Sequence, residues 1–589
     1  MKDFFKFMFA SMLGFFLISI ILFFIFMGIM MAMLSFAKSE EVVVNDKTLL
    51  HLKFDYRIED RTSKNLVDFG YDFGSFKTNL GLNGILKNLE KAKTDDRIEG
   101  IYLDLMEIPS GLATISEIRK ALADFKETGK FIYAYGEMLT QKAYYLASVA
   151  DKIYLNPEGI VDFRGFNGEV VFIKGLLEKL EIEPQIIRHG KFKSAIEPLI
   201  LDKMSEANKE QTLAFISSMW KSSIEEISYS RNIEVEKLNI IADKLETQQA
   251  EDVYKLHIVD SLVFMDQFLS ILADKLNTEQ VKKNNLISLN KYNKAKVKKD
   301  KTKRSRNKVA VIYAIGSIAQ GEGSDQMIGS DKIAREIRNA RLDKSIKAIV
   351  LRVNSPGGDA IASDIILREV MLAKQEKPIV VSMGNVAASG GYYISCGADK
   401  IIADPTTITG SIGVFGLIPN FQKFFNNKLG ITFDEVKTNE NSDFPSVTKP
   451  LSEYQYHIIQ VKVDKIYETF INHVANGRNM TNEEVNEIAQ GRVWSGVDAL
   501  KIGLVDELGG LDDAIRKAVD LAALEDYRLI ELPRQKELFE QIMEDIIGET
   551  KLKFLEKELG KNYRYYNYIK EVNQIKGVQA RLPFEIDIK

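Results

Sequence analysis

The chain has 589 residues, more than one ordinary domain holds, so at least two core-forming units are expected. Its 79 Lys and Arg stand against 83 Asp and Glu, a net charge of −4, which excludes a protein that selects nucleic acid or an acidic polymer by bulk charge. One cysteine, Cys396, excludes an intrachain disulfide, and its apolar helical setting near Tyr393 and Ala398 reads as buried and inert.

In chain order the first element is an apolar run. Residues 7–37 carry no charged side chain, and as a helix they would measure roughly 46 Å against a hydrocarbon core of about 30 Å. That length exceeds the apolar region of a cleaved signal peptide and predicts a retained anchor. Lys2 and Lys6 precede it, while Glu40, Glu41 and Asp46 follow, so the positive-inside tendency places the body outside the cytoplasm. No later segment is long and apolar enough to cross again.

The next two units are copies of each other. "KFIYAYGEMLTQKAYYLASVADKIYLNP" and "KPIVVSMGNVAASGGYYISCGADKIIADP" align at a constant offset that pairs Gly136 with Gly384, Tyr144 with Tyr392, Asp151 with Asp399 and Pro157 with Pro405. The same offset sets "DRIEGIYLDL" against "KSIKAIVLRV", a β-branched strand in each copy. Within a copy the order is strand, glycine-containing turn, helix, then strand, turn, helix again; "AIVLRV", "NSPGGD" and "AIASDIILREVMLAK" show it, with Ile361, Ile365, Ile366 and Met371 at helical spacing. This alternation predicts an α/β unit with a largely parallel sheet, whose ligands gather at the carboxyl ends of the strands. The boundaries expected are an anchor at 7–37, a first repeat at 48–288, a basic linker at 289–308, a second repeat at 309–526 and a C-terminal helical extension at 527–589.

Between the copies, "KYNKAKVKKDKTKRSRNK" has no apolar periodicity and reads as a solvated linker, with anionic lipid or nucleic acid as the alternative role for so basic a stretch. After Tyr527 the repeat ends. "KELFEQIMEDIIGETKLKFLEKEL" reads as an amphipathic helical arm and "VQARLPFEI" as a terminal strand.

The differences between the copies point to chemistry. Ser389 stands opposite Gln141, and its small neighbours Ala387, Ala388, Gly390 and Gly391 stand opposite Leu139, Thr140, Lys142 and Ala143. Gly357 and Gly358 of "NSPGG", which would let a substrate carbonyl approach amide N–H groups, have weaker counterparts in "MEIPSG". None of the five histidines lies in a stretch that pairs with Ser389 as a His–Asp triad would. Lysine is the other base that serves serine. In "IIRHGKFKSAIEPLI" of the first copy, Lys193 follows a strand and a glycine, with Lys191 two positions before it; in the second copy Asn441 or Ser442 takes the equivalent place. One copy has the serine and the other the lysine, so a single site across both is expected.

Taken together, "SPGG", "AASGGYY", "TGSIG", "GRVWSG", "GLVDELGG" and "GKFKSAIEP", behind an amino-terminal anchor, resemble the long, tandem-repeat form of the signal peptide peptidase A family of membrane-anchored bacterial serine proteases. The resemblance covers nearly the whole chain. It implies tandem Clp protease/crotonase-like α/β domains, with Ser389 as nucleophile, Lys193 as general base, Ser411 of "TGSIG" orienting the lysine, and oxyanion amides on Gly358 and Gly390. It also implies a homotetramer on the outer face of the cytoplasmic membrane, degrading cleaved signal peptides and other hydrophobic peptides. No metal, cofactor or nucleic acid is implied.

A lysine base sets a physical condition. At an ordinary pKa near 10.4 only about one amine in a thousand is neutral near pH 7.5, and a lowering of about three units, worth roughly 4 kcal/mol, requires an enclosed apolar setting. An interface between repeats supplies one. The serine context is not G-x-S-x-G, so an α/β-hydrolase gains no support. A crotonase-like acyl-CoA enzyme would need neither the Ser–Lys pair nor an outward-facing anchor, and a silent membrane scaffold would need neither Ser389 nor Lys193.

Overall fold

The computed structural model describes residues 2–37, 42–63, 79–296, 305–324, 326–535, 578–581 and 587–588. The apolar run forms one helix, Lys2–Ala37. Its segment Phe4–Ile25 has a mean hydropathy of 2.6, none of it buried against the protein, and among the described residues it is the one helix long and apolar enough to cross a membrane.

Each copy is built on a parallel sheet. In the first, strands run in the order Ser261–Leu262, Lys152–Val161, Phe131–Leu139, Ile98–Asp104, Thr48–Lys53, Leu286–Ser288, and all pairings are parallel. The second places Ile379–Ala388, Ile346–Ser355, Lys308–Ile315 and Arg528–Leu532 side by side, again parallel, with Lys400–Ala403 paired to the first of these. Strand starts Ile98, Phe131 and Lys152 correspond to Ile346, Ile379 and Lys400 at the offset read from the sequence. The helices repeat as well: Glu206–Arg231 and Glu453–Arg478 have 26 residues each, begin at serine caps whose side chains accept from the third residue's N–H, and end on left-handed Asn232 and Asn479. The tandem α/β architecture expected from the sequence is the one found.

The helix after the "NSPGG" turn, Ala360–Lys374, starts where the Asp359 carboxylate accepts from Ala362 N–H. Ala362, Ile366, Val370 and Ala373 form its buried stripe, whereas Ile361 and Ile365 are exposed. Of the residues read at helical spacing, Ile366 and Met371 face the core, while Ile361 and Ile365 lie on the outer side, the buried face being completed by Ala362, Val370 and Ala373.

Several segment limits move. The basic stretch does not begin as a linker: Leu289–Lys294 is a helix with Leu289 and Tyr292 in the core of the first copy, so that copy extends past 288. Residues 297–304 of the stretch lie outside the described residues, and Lys308 already belongs to a strand. Beyond 526 the chain first adds Arg528–Leu532 to the second sheet, so the second copy also runs further than expected. The helical arm expected at 536–559 lies outside the described residues. The terminal strand of the sequence reading is present as Val578–Arg581.

Two features join the copies. Arg352, fully buried, donates from Nε to Asp60 (2.6 Å) and from Nη2 to Glu117 (2.7 Å), two carboxylates of the first copy. Glu117 also accepts from Leu511 N–H at 2.6 Å. Second, a separate sheet is assembled from both: Met327–Gly329, Ser317–Ala319, Gly357–Asp359, Val578–Arg581, Val414–Asn420 and Glu183–His189 follow one another. The last two, one from each copy, pair antiparallel from Val414↔His189 to Asn420↔Glu183. This seam brings the end of strand Glu183–His189, and with it Lys193, beside the second copy.

Candidate active site

Ser389 sits where the central strand Ile379–Ala388 turns into the short helix Gly390–Tyr393. Its φ of 55° is unusual for a residue with a side chain, and the conformation is held by its N–H donating to Gly410 O (2.8 Å) and by Tyr393 N–H donating to its carbonyl (2.8 Å). The turn points the hydroxyl at the seam between copies.

Across the seam, Lys193 and Ser389 are both fully buried, and Lys193 Nζ lies 2.8 Å from Ser389 Oγ. The same nitrogen is 3.0 Å from Ser411 Oγ and 3.1 Å from Ser411 O. Burial pushes the Lys193 amine well below the ordinary lysine range. Lys191, the other lysine of the motif, is exposed, with its ammonium 5.2 Å from the centre of the Phe192 ring. Of the two lysines of the motif, Lys193 reaches the serine and Lys191 faces water. The second-copy counterparts Asn441 and Ser442 lie exposed in a turn.

The backbone segments expected to carry the oxyanion amides lie side by side. A methyl group placed on Gly390 would lie 3.0 Å from Gly358 N, so the two segments are in close approach. Gly357 N–H is engaged by its own turn, donating to Ser355 Oγ at 3.1 Å. Gly358 cannot carry a side chain, since a Cβ there would meet the backbone of Ile318.

Sequence reasoning missed the residues that deliver the lysine. Phe192 N–H donates to Gln490 O (2.8 Å), and Gln211 Nε2 donates to Phe192 O (3.1 Å) and Ser194 Oγ (2.8 Å), so the lysine loop is tied on both sides. Gly491, the glycine of "GRVWSG", has a φ of 81°, and a Cβ on it would lie 2.7 Å from Lys193 Cβ. Glu197 of the "KSAIEP" motif accepts from Ser205 Oγ (2.6 Å) and Asn208 Nδ2 (3.0 Å), fixing the turn after the lysine. The signal available was the glycine inside an otherwise strand-like "GRVWS"; nothing in the sequence singled out Gln211.

The remaining candidates behave as structural groups. His189 bonds Asp464 (2.7 Å) and stacks on Tyr467, and His51 and His473 pair with Asp104 and Asp364. Cys396 is buried, its thiol pushed up to about 12 by burial, and it donates to Tyr393 O.

With this geometry in place, comparison with known proteins decides the family. The sequence model described as "Peptidase family S49" matches residues 124–279 and 371–525, one match per copy. The chain belongs to peptidase family S49. As a member of that family it is a serine peptidase. It is 38% identical over 493 residues to Protease 4 of Salmonella typhi, covering 81% of this chain and 78% of that protein. It is 38% identical to Protease 4 of Haemophilus influenzae (74% and 72% covered) and 31% identical to the chloroplastic serine protease SPPA of Arabidopsis thaliana (86% and 75%). A ClpP1 mutant from Listeria monocytogenes matches 35% of this chain and 94% of its own, at 15% identity and a TM-score of 0.24. The two S49 matches fall on the two copies whose unlike residues, Ser389 and Lys193, meet at the seam.

Proposed function

We propose that this S49 peptidase cleaves peptide bonds with a Ser389–Lys193 dyad shared by its two copies. The observation that carries the reading is the 2.8 Å approach of Lys193 Nζ to Ser389 Oγ at a site where both side chains are fully buried. Burial favours the neutral form of the amine, which has two N–H donors and one lone pair. The donors suit Ser411 Oγ and O, and the lone pair is left for the Ser389 hydroxyl. Ser411 therefore orients the base.

Ser389 Oγ attacks the peptide carbonyl as Lys193 takes its proton, and the ammonium then protonates the leaving amine. The Gly358 and Gly390 N–H groups, on backbone segments in close approach, are assigned to the developing oxyanion. Water, deprotonated by the same lysine, hydrolyses the acyl-enzyme. The chemistry uses an amine, a hydroxyl and two amides, with no cofactor called for by any step.

The substrates proposed are cleaved signal peptides and other hydrophobic peptides. Support comes from the likeness to the signal peptide peptidase A family and from the anchor, which holds the site where apolar peptides leave the bilayer. The helix Phe4–Ile25, with Lys2 before it and Lys6 in its first turn, supports a single-pass protein of the cytoplasmic membrane with its amino terminus inside and its body outside. A homotetramer is proposed on the family likeness, and a first copy from Thr48 to about 295 followed by a second from about 305 to 535 on the observed sheets. The test is hydrolysis of a fluorogenic hydrophobic peptide by the detergent-solubilised protein. Ser389→Ala and Lys193→Met abolish it if the dyad is right; a Lys193→Met variant as active as the parent refutes the base.

A further inference from the structure

A second seam joins the copies behind the lysine. Segment 490–495 of the second copy lies along the first-copy helix Glu206–Arg231: Val493 N–H donates to Gln211 Oε1 (3.3 Å), Arg492 Nη2 lies 3.2 Å from Glu210 Oε1, and the Ser218 and Ser495 hydroxyls are 2.7 Å apart. The same segment pairs antiparallel with the strand Ile408–Gly410, which leads into Ser411. It therefore touches both the loop that carries the base and the stretch that carries the base's hydrogen-bond partner.

One residue of the segment engages the two together. The Arg492 carbonyl accepts from Ser411 N–H at 2.7 Å and helps hold Ser411 at a φ of 50°, a left-handed conformation that is costly for a residue with a side chain. The Arg492 guanidinium carbon lies 4.9 Å from the centre of the Phe192 ring and 4.7 Å from that of Trp494, within the range of cation–π attraction. Phe192 immediately precedes Lys193. Arg492 Nε is buried and, among the described residues, meets no hydrogen-bond acceptor, so the planar group is held by ring faces and by Glu210. A lysine ammonium, a point charge with no flat face, could not lie against two rings in this way.

We propose that Arg492 is a positioning residue for Lys193, gripping the base through the Phe192 ring on the chain that delivers it and through Ser411 on the side that bonds it. The inference rests on the Ser389–Lys193 reading above. What the two grips fix is the place of Nζ, 2.8 Å from Ser389 Oγ and 3.0 Å from Ser411 Oγ, in full enclosure. A base displaced from that place costs turnover rather than substrate binding.

Hydrolysis of a fluorogenic hydrophobic peptide by the full-length, detergent-solubilised protein tests this, with the folded fraction followed by circular dichroism. Arg492→Met keeps an apolar stem and removes the planar cation. It is expected to lower kcat per folded molecule about 10–10²-fold with KM little changed, and to displace the rising pH limb toward higher pH as the amine gains water. Arg492→Lys recovers only part of the loss. Phe192→Leu, which removes the ring face, gives the same displacement, and the double variant is no worse than either single one because both act through one contact. Should Arg492→Met not fold, Phe192→Leu and Arg492→Lys carry the same test. Parent-like kcat and pH limb in Arg492→Met, a loss explained wholly by unfolded protein with the limb unmoved, or effects of Arg492→Met and Phe192→Leu that multiply, overturn the positioning role and leave the dyad standing. Parent-like activity in Ser389→Ala refutes the dyad itself, and the positioning role with it.

Discussion

Lys193 and Ser389 are 196 positions apart in the chain and 2.8 Å apart in space, one contributed by each copy of a duplicated unit. Removing either group removes a step that the other cannot supply. Ser389→Ala is expected to lower kcat/KM by about 10⁴-fold or more, and Lys193→Met by about 10²–10⁴-fold, with unchanged circular dichroism.

The buried amine makes both the activity and its contribution to stability rise with pH, the activity through the folded protein and the stability through the unfolded chain. Activity rises with pH as Lys193 loses its proton, and this limb lies well below the ordinary lysine range because the folded pKa is depressed by burial. Stability works through the unfolded chain. Above the unfolded lysine pKa the group is neutral in both states and contributes nothing; as pH falls below it, the unfolded chain gains a proton that the folded one does not, so folding is penalised until the folded pKa is reached. Lys193→Met is therefore expected to raise the melting temperature more at pH 7 than at pH 10. An equal rise at both would contradict a neutral lysine.

Ser411 holds the amine without touching the reacting carbonyl. Ser411→Ala removes the 3.0 Å contact to Nζ and is expected to cost about 10–10²-fold in kcat, with KM little changed and the rising pH limb displaced. A merely structural role would leave that limb where it is.

Gly491 lies against the stem of the lysine. Gly491→Ala would put a methyl 2.7 Å from Lys193 Cβ at a φ of 81°, so a loss of activity is expected together with about 1–3 kcal/mol of stability. Denaturant unfolding and peptide hydrolysis measured on one preparation check both.

Arg352 neutralises Asp60 and Glu117 where no water reaches, and each carboxylate belongs to the other copy. Arg352→Ala leaves both unpaired and is expected to destabilise by about 3–5 kcal/mol in urea, while Arg352→Lys, which cannot reach two carboxylates at once, recovers only part of it.

Much of this arrangement was legible because duplication supplies an internal control. Constant spacing from Gly136 to Gly384 revealed two units, and the unlike residues Ser389 and Lys193 pointed to one site across them, where their side chains meet. What stayed hidden depends on contacts distant in the chain. Gln211 is an ordinary polar residue in a long helix until Phe192 O and Ser194 Oγ are seen beside it. Of the helical stripe read in the sequence, Ile366 faces the core but Ile361 and Ile365 face outward, because the helix packs through the row Ala362, Ile366, Val370 and Ala373. The linker was drawn too long since charge dominates "KYNKAKVKK", though Tyr292 within it is buried. Arg352 gave no sign at all, being a lone cation in a β-branched strand.

The pairing of Glu183–His189 with Val414–Asn420 binds the two halves into one site: the hydroxyl lies on one half and the amine on the other, so their 2.8 Å approach depends on that zipper remaining closed.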